Sequence, residues 1–137
     1  METIKINGKT ASKGYAKGAA LVSKDMFAFG GTPELETGIV KENNHDIYGQ
    51  NVAGKVLVYP TGKGSTGDPY SCYFLMKHGN APKAIINRTA NPTTVVSAIL
   101  ANIPMMYSLE KDPLNVIKTG DLVEVNANEG FILIKKK

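Results

Sequence analysis

Residues 55–87 read KVLVYPTGKGSTGDPYSCYFLMKHGNAPKAIIN, and the order of signals within them sets the architecture. KVLVYP is an unbroken β-branched and apolar run, the pattern of a strand covered on both faces. A glycine-punctuated loop, TGKGSTG at 61–67, follows it. Asp68 and Pro69 then open a helix over 68–79, with Asp68 as N-cap, Pro69 as first helical residue and Gly79 as stop. Cys72, Leu75 and Met76 fall at helical spacing within it. KAIIN at 83–87 is a second buried strand. Strand, helix and strand in this order predict a right-handed crossover and a parallel pair.

Downstream the pattern repeats. NPTTVVSAILAN at 91–102 has the same start signal, with Asn91 as cap and Pro92 behind it, and Val95, Val96, Ile99 and Leu100 as its apolar face. Ile103 to Tyr107 is a third strand, and Pro104 puts it at a sheet edge or puts the proline at the strand start. TGDLVEVNANEGFILIKK reads as a hairpin, with strands at 121–126 and 131–135 around a turn at 128–130. Upstream, TIKINGK at 3–9 is a short strand ending at the Asn7-Gly8 turn pair, and AALVS ends a glycine-punctuated second strand. DMFAFGGTPELETG at 25–38 has turn chemistry throughout. Residues 39–54 are mostly loop, with a short strand over 38–41. The chain is therefore expected to be one α/β domain over 1–137, with a parallel middle sheet and a second β layer from the N-terminal strands and the hairpin.

The composition is ordinary: of 137 residues, 42% are hydrophobic and 20% charged, with a formal charge of +4. The basic residues are scattered apart from Lys135, Lys136 and Lys137, with no aromatics interleaved, so no nucleic-acid partner is expected. No run of about 18 apolar residues is present, so no membrane span is expected. The single Cys72 cannot form an internal disulfide. With no apolar leader at the N-terminus, a cytoplasmic location is expected.

The loop at 61–67 supports three readings. It lies beyond the carboxyl end of a predicted parallel strand and before a helix N-terminus, where an anion is favoured. A P-loop is excluded by order and spacing. Gly62, Gly64 and Gly67 match GxGxxG, yet the acidic residue expected about 20 positions on is missing. Ser65 could act as a base if glycine-turn amides, Lys63 and the helix start stabilise its alkoxide. The loop could also simply join strand to helix. Gly30-Gly31 reads as a tight turn or as backbone close to a ligand. Arg88, at the next strand's carboxyl end, reads as an anion contact or a solvated arginine. Cys72 reads as a buried structural thiol, and His45 and His78 as surface residues.

DMFAFGGTPELETGIV, GKVLVYPTGKGSTGD, KHGNAPKAIINRTANP, IPMM and TGDLVEVNANEGFI, in that order, resemble the small subunit of aconitase X proteins over nearly the whole chain. The resemblance implies a swivelling β/β/α three-layer domain like the mobile C-terminal domain of aconitase. It implies a hydro-lyase, a carbon–oxygen lyase active only with a large aconitase-X subunit. That large subunit, and not this chain, would hold the iron or iron–sulfur cluster, in keeping with a single cysteine here. Ser65 would be the catalytic base, removing a proton next to a carboxylate. Gly30, Gly31, Lys63, Gly64, Thr66 and Arg88 would line a site for a small anionic hydroxy acid. Thr66-Gly67-Asp68 stands where aconitase has an arginine, which points away from a tricarboxylate. The short connection through Ala101 to Pro104 resembles the archaeal form, whose substrate is (R)-5-phosphomevalonate, dehydrated to the trans-unsaturated anhydro phosphate of an archaeal-type mevalonate pathway. The alternative within the family is cis-3-hydroxy-L-proline. Two alternatives lie outside it. One is a subunit that closes a partner's site without catalysis. The other is a phosphotransfer swivel domain, which needs a histidine in its glycine loop, and none stands between 46 and 77.

Overall fold

The computed structural model describes residues 3–137. In chain order the elements are β1 (Thr3–Asn7), β2 (Lys9–Ser12), β3 (Tyr15–Val22), β4 (Val56–Tyr59), α1 (Asp68–Lys77), β5 (Ala84–Asn87), α2 (Pro92–Leu100), β6 (Met105–Tyr107), α3 (Pro113–Val116), β7 (Leu122–Asn126) and β8 (Phe131–Lys135). The strands run in the order β1-β8-β7-β3-β4-β5-β6-β2.

Two strands carry the chain between layers. β3 pairs antiparallel with β7 over Tyr15–Ala19, then parallel with β4 over Ala20–Val22. β1 pairs with β8 and β2 with β6, although only Gly8 separates them. The sheet thus folds over on itself into an antiparallel layer (β1, β8, β7 and the start of β3) and a mixed layer (the end of β3, β4, β5, β6 and β2). The period-two alternation of the buried strands then separates two cores. Val56, Val58, Ala84, Ile86 and Met106 face Val123, Val125, Ile132 and Ile134 of the other sheet. Leu57, Tyr59, Ile85 and Met105 point the opposite way, against Cys72 and Leu75 of α1 and Ala98 of α2. The three layers are β, β and α, as the sequence and the resemblance imply.

Several local expectations are corrected. Asn7-Gly8 is not a hairpin turn: Gly8 is the bend between layers, its N–H donating to Gly130 O at 3.0 Å. A Cβ at Gly8 would lie 2.2 Å from Leu109 Cδ2 and 3.2 Å from Tyr107 O. Gly8→Ala is therefore expected to cost about 1–3 kcal/mol through overpacking. The measurement is the Tm of the chain, and an unchanged Tm would mean the bend tolerates a side chain. Of the two readings for Pro104 the strand start holds, since it stands directly before β6, and the edge does not, since β6 is interior between β5 and β2. Residues 38–41 make only single bridges, Pro33 to Val40 and Ile39 to Asn51. The short helix α3, capped by Asp112, has no counterpart in the sequence reading.

The largest correction concerns α2. Its buried residues are Thr94, Ser97 and Ala98, while Val96, Ile99 and Leu100 are 46%, 55% and 56% exposed. Of the predicted apolar face, Val95 alone packs inward. Small side chains let α2 approach α1 and the sheet closely. Tyr70, Tyr73 and Phe74 of α1 are exposed as well, so the helical layer turns apolar groups outward.

Candidate active site

The carboxyl ends of β4 and β5 lie side by side, with Tyr59 paired to Asn87. Arg88 N–H donates to Pro60 O at 3.0 Å, which ties the next strand to the root of the 61–67 loop. The loop rests on the start of α2. A Cβ at Gly62 would sit 2.0 Å from Thr94 Oγ1, so only hydrogen fits there. Gly64 has φ +84°, a conformation that favours glycine.

The segment bearing Gly30 and Gly31 is laced to this loop. Phe27 bridges to Gly62 in parallel, and Lys63 N–H donates to Phe27 O at 3.1 Å. The approach is close: a Cβ at Gly30 would lie 3.1 Å from Ser71 Oγ and 3.9 Å from Ser65 Oγ, and one at Gly67 4.0 Å from Ser65 Oγ. Ser65, Gly30 and Gly67, which sequence could only nominate separately, converge on one spot.

That spot is the N-terminus of α1. Gly67 is the N-cap and makes no side-chain cap, in contrast to α2, where Asn91 Oδ1 accepts from Thr93 N–H at 3.0 Å. Among the described residues, the N–H groups of Gly64, Ser65, Thr66 and Gly67 have no main-chain acceptor. Amides without main-chain acceptors and the positive end of the helix dipole make this a place that favours negative charge.

Asp68, read as the cap, is instead the first helical residue and is 3% exposed. Its Oδ1 accepts from Gly30 N–H at 3.2 Å and its Oδ2 lies 3.2 Å from Ser97 Oγ. Burial pushes its carboxyl above the usual range, and the Gly30 N–H pulls in the opposite direction. Beneath the loop, Tyr59 hydroxyl and Asn87 Oδ1 are buried without a hydrogen-bond partner among the described residues.

Lys63 and Arg88 are both engaged. Lys63 Nζ meets Glu42 Oε2 at 2.5 Å, and Glu42 Oε1 accepts from Thr32 Oγ1 at 2.6 Å. The Lys63 ammonium, with Thr32 behind it, holds the Glu42 carboxyl below its ordinary range. Glu42 thus joins the two loops, a role hidden in a stretch read as plain loop. Arg88 Nε donates to Asp112 Oδ1 at 2.9 Å. Its main chain borders the site while its Nε is paired toward α3. Gly31, at φ +122°, has open space around it.

The donors here do not fit an iron–sulfur cluster, which needs several thiolates. Cys72 is fully buried, and burial pushes its thiol up to about 12. Iodoacetamide at pH 8 is accordingly expected to leave Cys72 unmodified in the native chain and to alkylate it in denaturant. Labelling at equal rates in both states would contradict this burial. Among the described residues one group of three possible metal donors stands together, Asp25, His45 and Asp46. They already hold one another's loop: Asp46 accepts from Ser23 Oγ and Lys24 N–H, Asp25 from Asp46 N–H, and His45, expected at the surface, is instead buried with its Nε2 against Met26 O.

Comparison with known proteins places the chain in a family. The family model for the aconitase X swivel domain matches residues 5–134. The phosphomevalonate dehydratase small subunit of Methanosarcina acetivorans is 48% identical over 138 residues, covering 100% of this chain and 96% of that protein. The crystal structure of Thermococcus kodakaraensis aconitase X, holo-form, matches with TM-score 0.91 and 40% identity, covering 97% of this chain and 99% of that one. A solution structure of a UPF0107 protein matches with TM-score 0.87 and 43% identity, over 94% of this chain and 97% of that one. The chain belongs to the aconitase X swivel domain family.

Proposed function

We propose that this chain is the small subunit of a two-subunit dehydratase acting on (R)-5-phosphomevalonate, and that Ser65 is its base. The substrate reading rests on the full-length relative of that name, 48% identical. The observation that carries the role of Ser65 is the convergence of Gly30, Gly67 and an uncapped α1 N-terminus on its Oγ.

A serine is a base only as an alkoxide, and the amides of residues 64–67 with the helix dipole favour that negative charge. Ser65 takes the proton from the carbon next to the substrate carboxylate, the electron pair becomes the double bond, and hydroxide leaves the neighbouring carbon. Proton and hydroxide together make the released water. The amide cradle also holds the substrate's anionic end. Lys63 and Glu42 fix the spacing of the two loops, and Arg88 borders the cradle. The iron or iron–sulfur group that the family implies is assigned to the large subunit, because the donors of this chain do not fit it. Departure of the hydroxyl is assigned to that subunit as well.

The test is co-expression with the large subunit and mass-spectrometric detection of water loss from phosphomevalonate. Ser65→Ala is expected to lower turnover by about 10²-fold or more. Wild-type turnover by that variant would remove Ser65 as base. Dehydration of cis-3-hydroxy-L-proline, with phosphomevalonate inert, would reassign the substrate.

A further inference from the structure

We propose that Asp68 is a positioning residue, whose carboxyl clamps the Gly30 main chain against the loop that carries Ser65. The proposal rests on the reading of Ser65 as the base, and adds a residue that never touches the substrate.

Three segments meet at Asp68. Its own N–H donates to Ser65 O at 3.1 Å, its Oδ1 accepts from Gly30 N–H at 3.2 Å across 38 residues, and its Oδ2 faces Ser97 Oγ of α2 at 3.2 Å. A side chain 3% exposed at the first position of a helix, making no cap to that helix, has another task. Here it fixes the backbone that stands beside Ser65 Oγ.

Counting hydrogens defines the clamp further. Ser97 has one hydroxyl proton, and its Oγ lies 2.7 Å from Thr93 O as well as 3.2 Å from Asp68 Oδ2. The shorter contact takes that proton. The longer one then needs a proton from Asp68, so a neutral carboxyl satisfies every group: it donates to Ser97 and accepts from Gly30. A neutral acid also leaves the positive field of the α1 N-terminus to an anionic substrate, which an ionised Asp68 would oppose. Asparagine reproduces this pattern of one donor and one acceptor, and alanine supplies neither.

Two measurements test the clamp. In the complex with the large subunit, Asp68→Ala is expected to lower kcat at least about tenfold with KM changed by less than about threefold, while Asp68→Asn stays within about threefold of wild type. Wild-type kcat for Asp68→Ala, or equal losses for Ala and Asn, would overturn it. In the isolated full-length chain, amide exchange by NMR needs no turnover and no variant. The Gly30 amide should exchange at least about tenfold more slowly than that of Gly31. Equal exchange at the two glycines would overturn the clamp even if Asp68→Ala failed to fold. Slow Gly30 exchange alongside a fully active Ser65→Ala would remove the base and leave the clamp standing.

Discussion

Replacing Ser65 by alanine is expected to cut kcat of the two-subunit enzyme by about 10²-fold or more, with KM within a few-fold of wild type. The size of the effect follows from the role proposed for Ser65. Amides at residues 64–67 and the uncapped start of α1 stabilise a negative oxygen only if an oxygen is there, and alanine removes it. Little else changes. Ser65 is half-buried, its carbonyl bond to Asp68 N–H is main-chain, and a methyl group fits where CH₂OH stood. Tm of the chain and its association with the large subunit should therefore be retained. A subunit that merely closes a partner's site predicts the reverse, with unchanged kcat and weaker assembly. Steady-state kinetics with a measure of complex formation separates the two.

Gly62→Ala is expected to destabilise the chain by about 1–3 kcal/mol and to disturb the site as well. A Cβ there would stand 2.0 Å from Thr94 Oγ1, far inside any real contact, but 3.4 Å from Thr94 Cβ, an ordinary one. The clash is thus with one atom that can be deleted. Thr94→Ala should rescue part of the loss, so the double variant should lie above Gly62→Ala in Tm even though Thr94→Ala alone leaves a small cavity. A double-mutant cycle reads the coupling directly. Strict additivity would mean that the contact with Thr94 is not the source of the strain. The same strain lifts residues 61–65 away from α2, so the kcat of the assembled enzyme should fall with Gly62→Ala and recover with Thr94→Ala.

Much of the fold was legible because it is written in short-range signals. The continuous apolar runs at β4 and β5, the alternation in the β7–β8 hairpin and the Asn91-Pro92 start of α2 each lie within a few residues, where period and capping act. Asp68 marked the start of α1 correctly, but its side chain was misread, because a carboxylate near a helix start caps it only when no deeper partner competes. Gly30 N–H is that partner. The apolar stripe of α2 was misread for a related reason. Hydrophobicity says that a side chain avoids water or rests on another protein, and not which neighbour lies close. In α2 the residues buried against α1 and the sheet are the small Thr94, Ser97 and Ala98, with Val95 partly buried beside them.

The site divides in the same way. The sequence by itself determined the strand–loop–helix order, the glycine loop at a strand's carboxyl end with Ser65 as a candidate within it, and a chain too poor in thiols to hold a cluster. Only the tertiary structure decided that Gly30 stands beside Ser65, that Glu42 pairs with Lys63, that Asp68 is buried between three segments, and that Gly8 carries one strand into two layers. Each of these depends on contacts between segments far apart in the chain, made when β3 and the β1–β2 strand cross between layers. Such contacts follow from which surfaces pack together, and no local period encodes that.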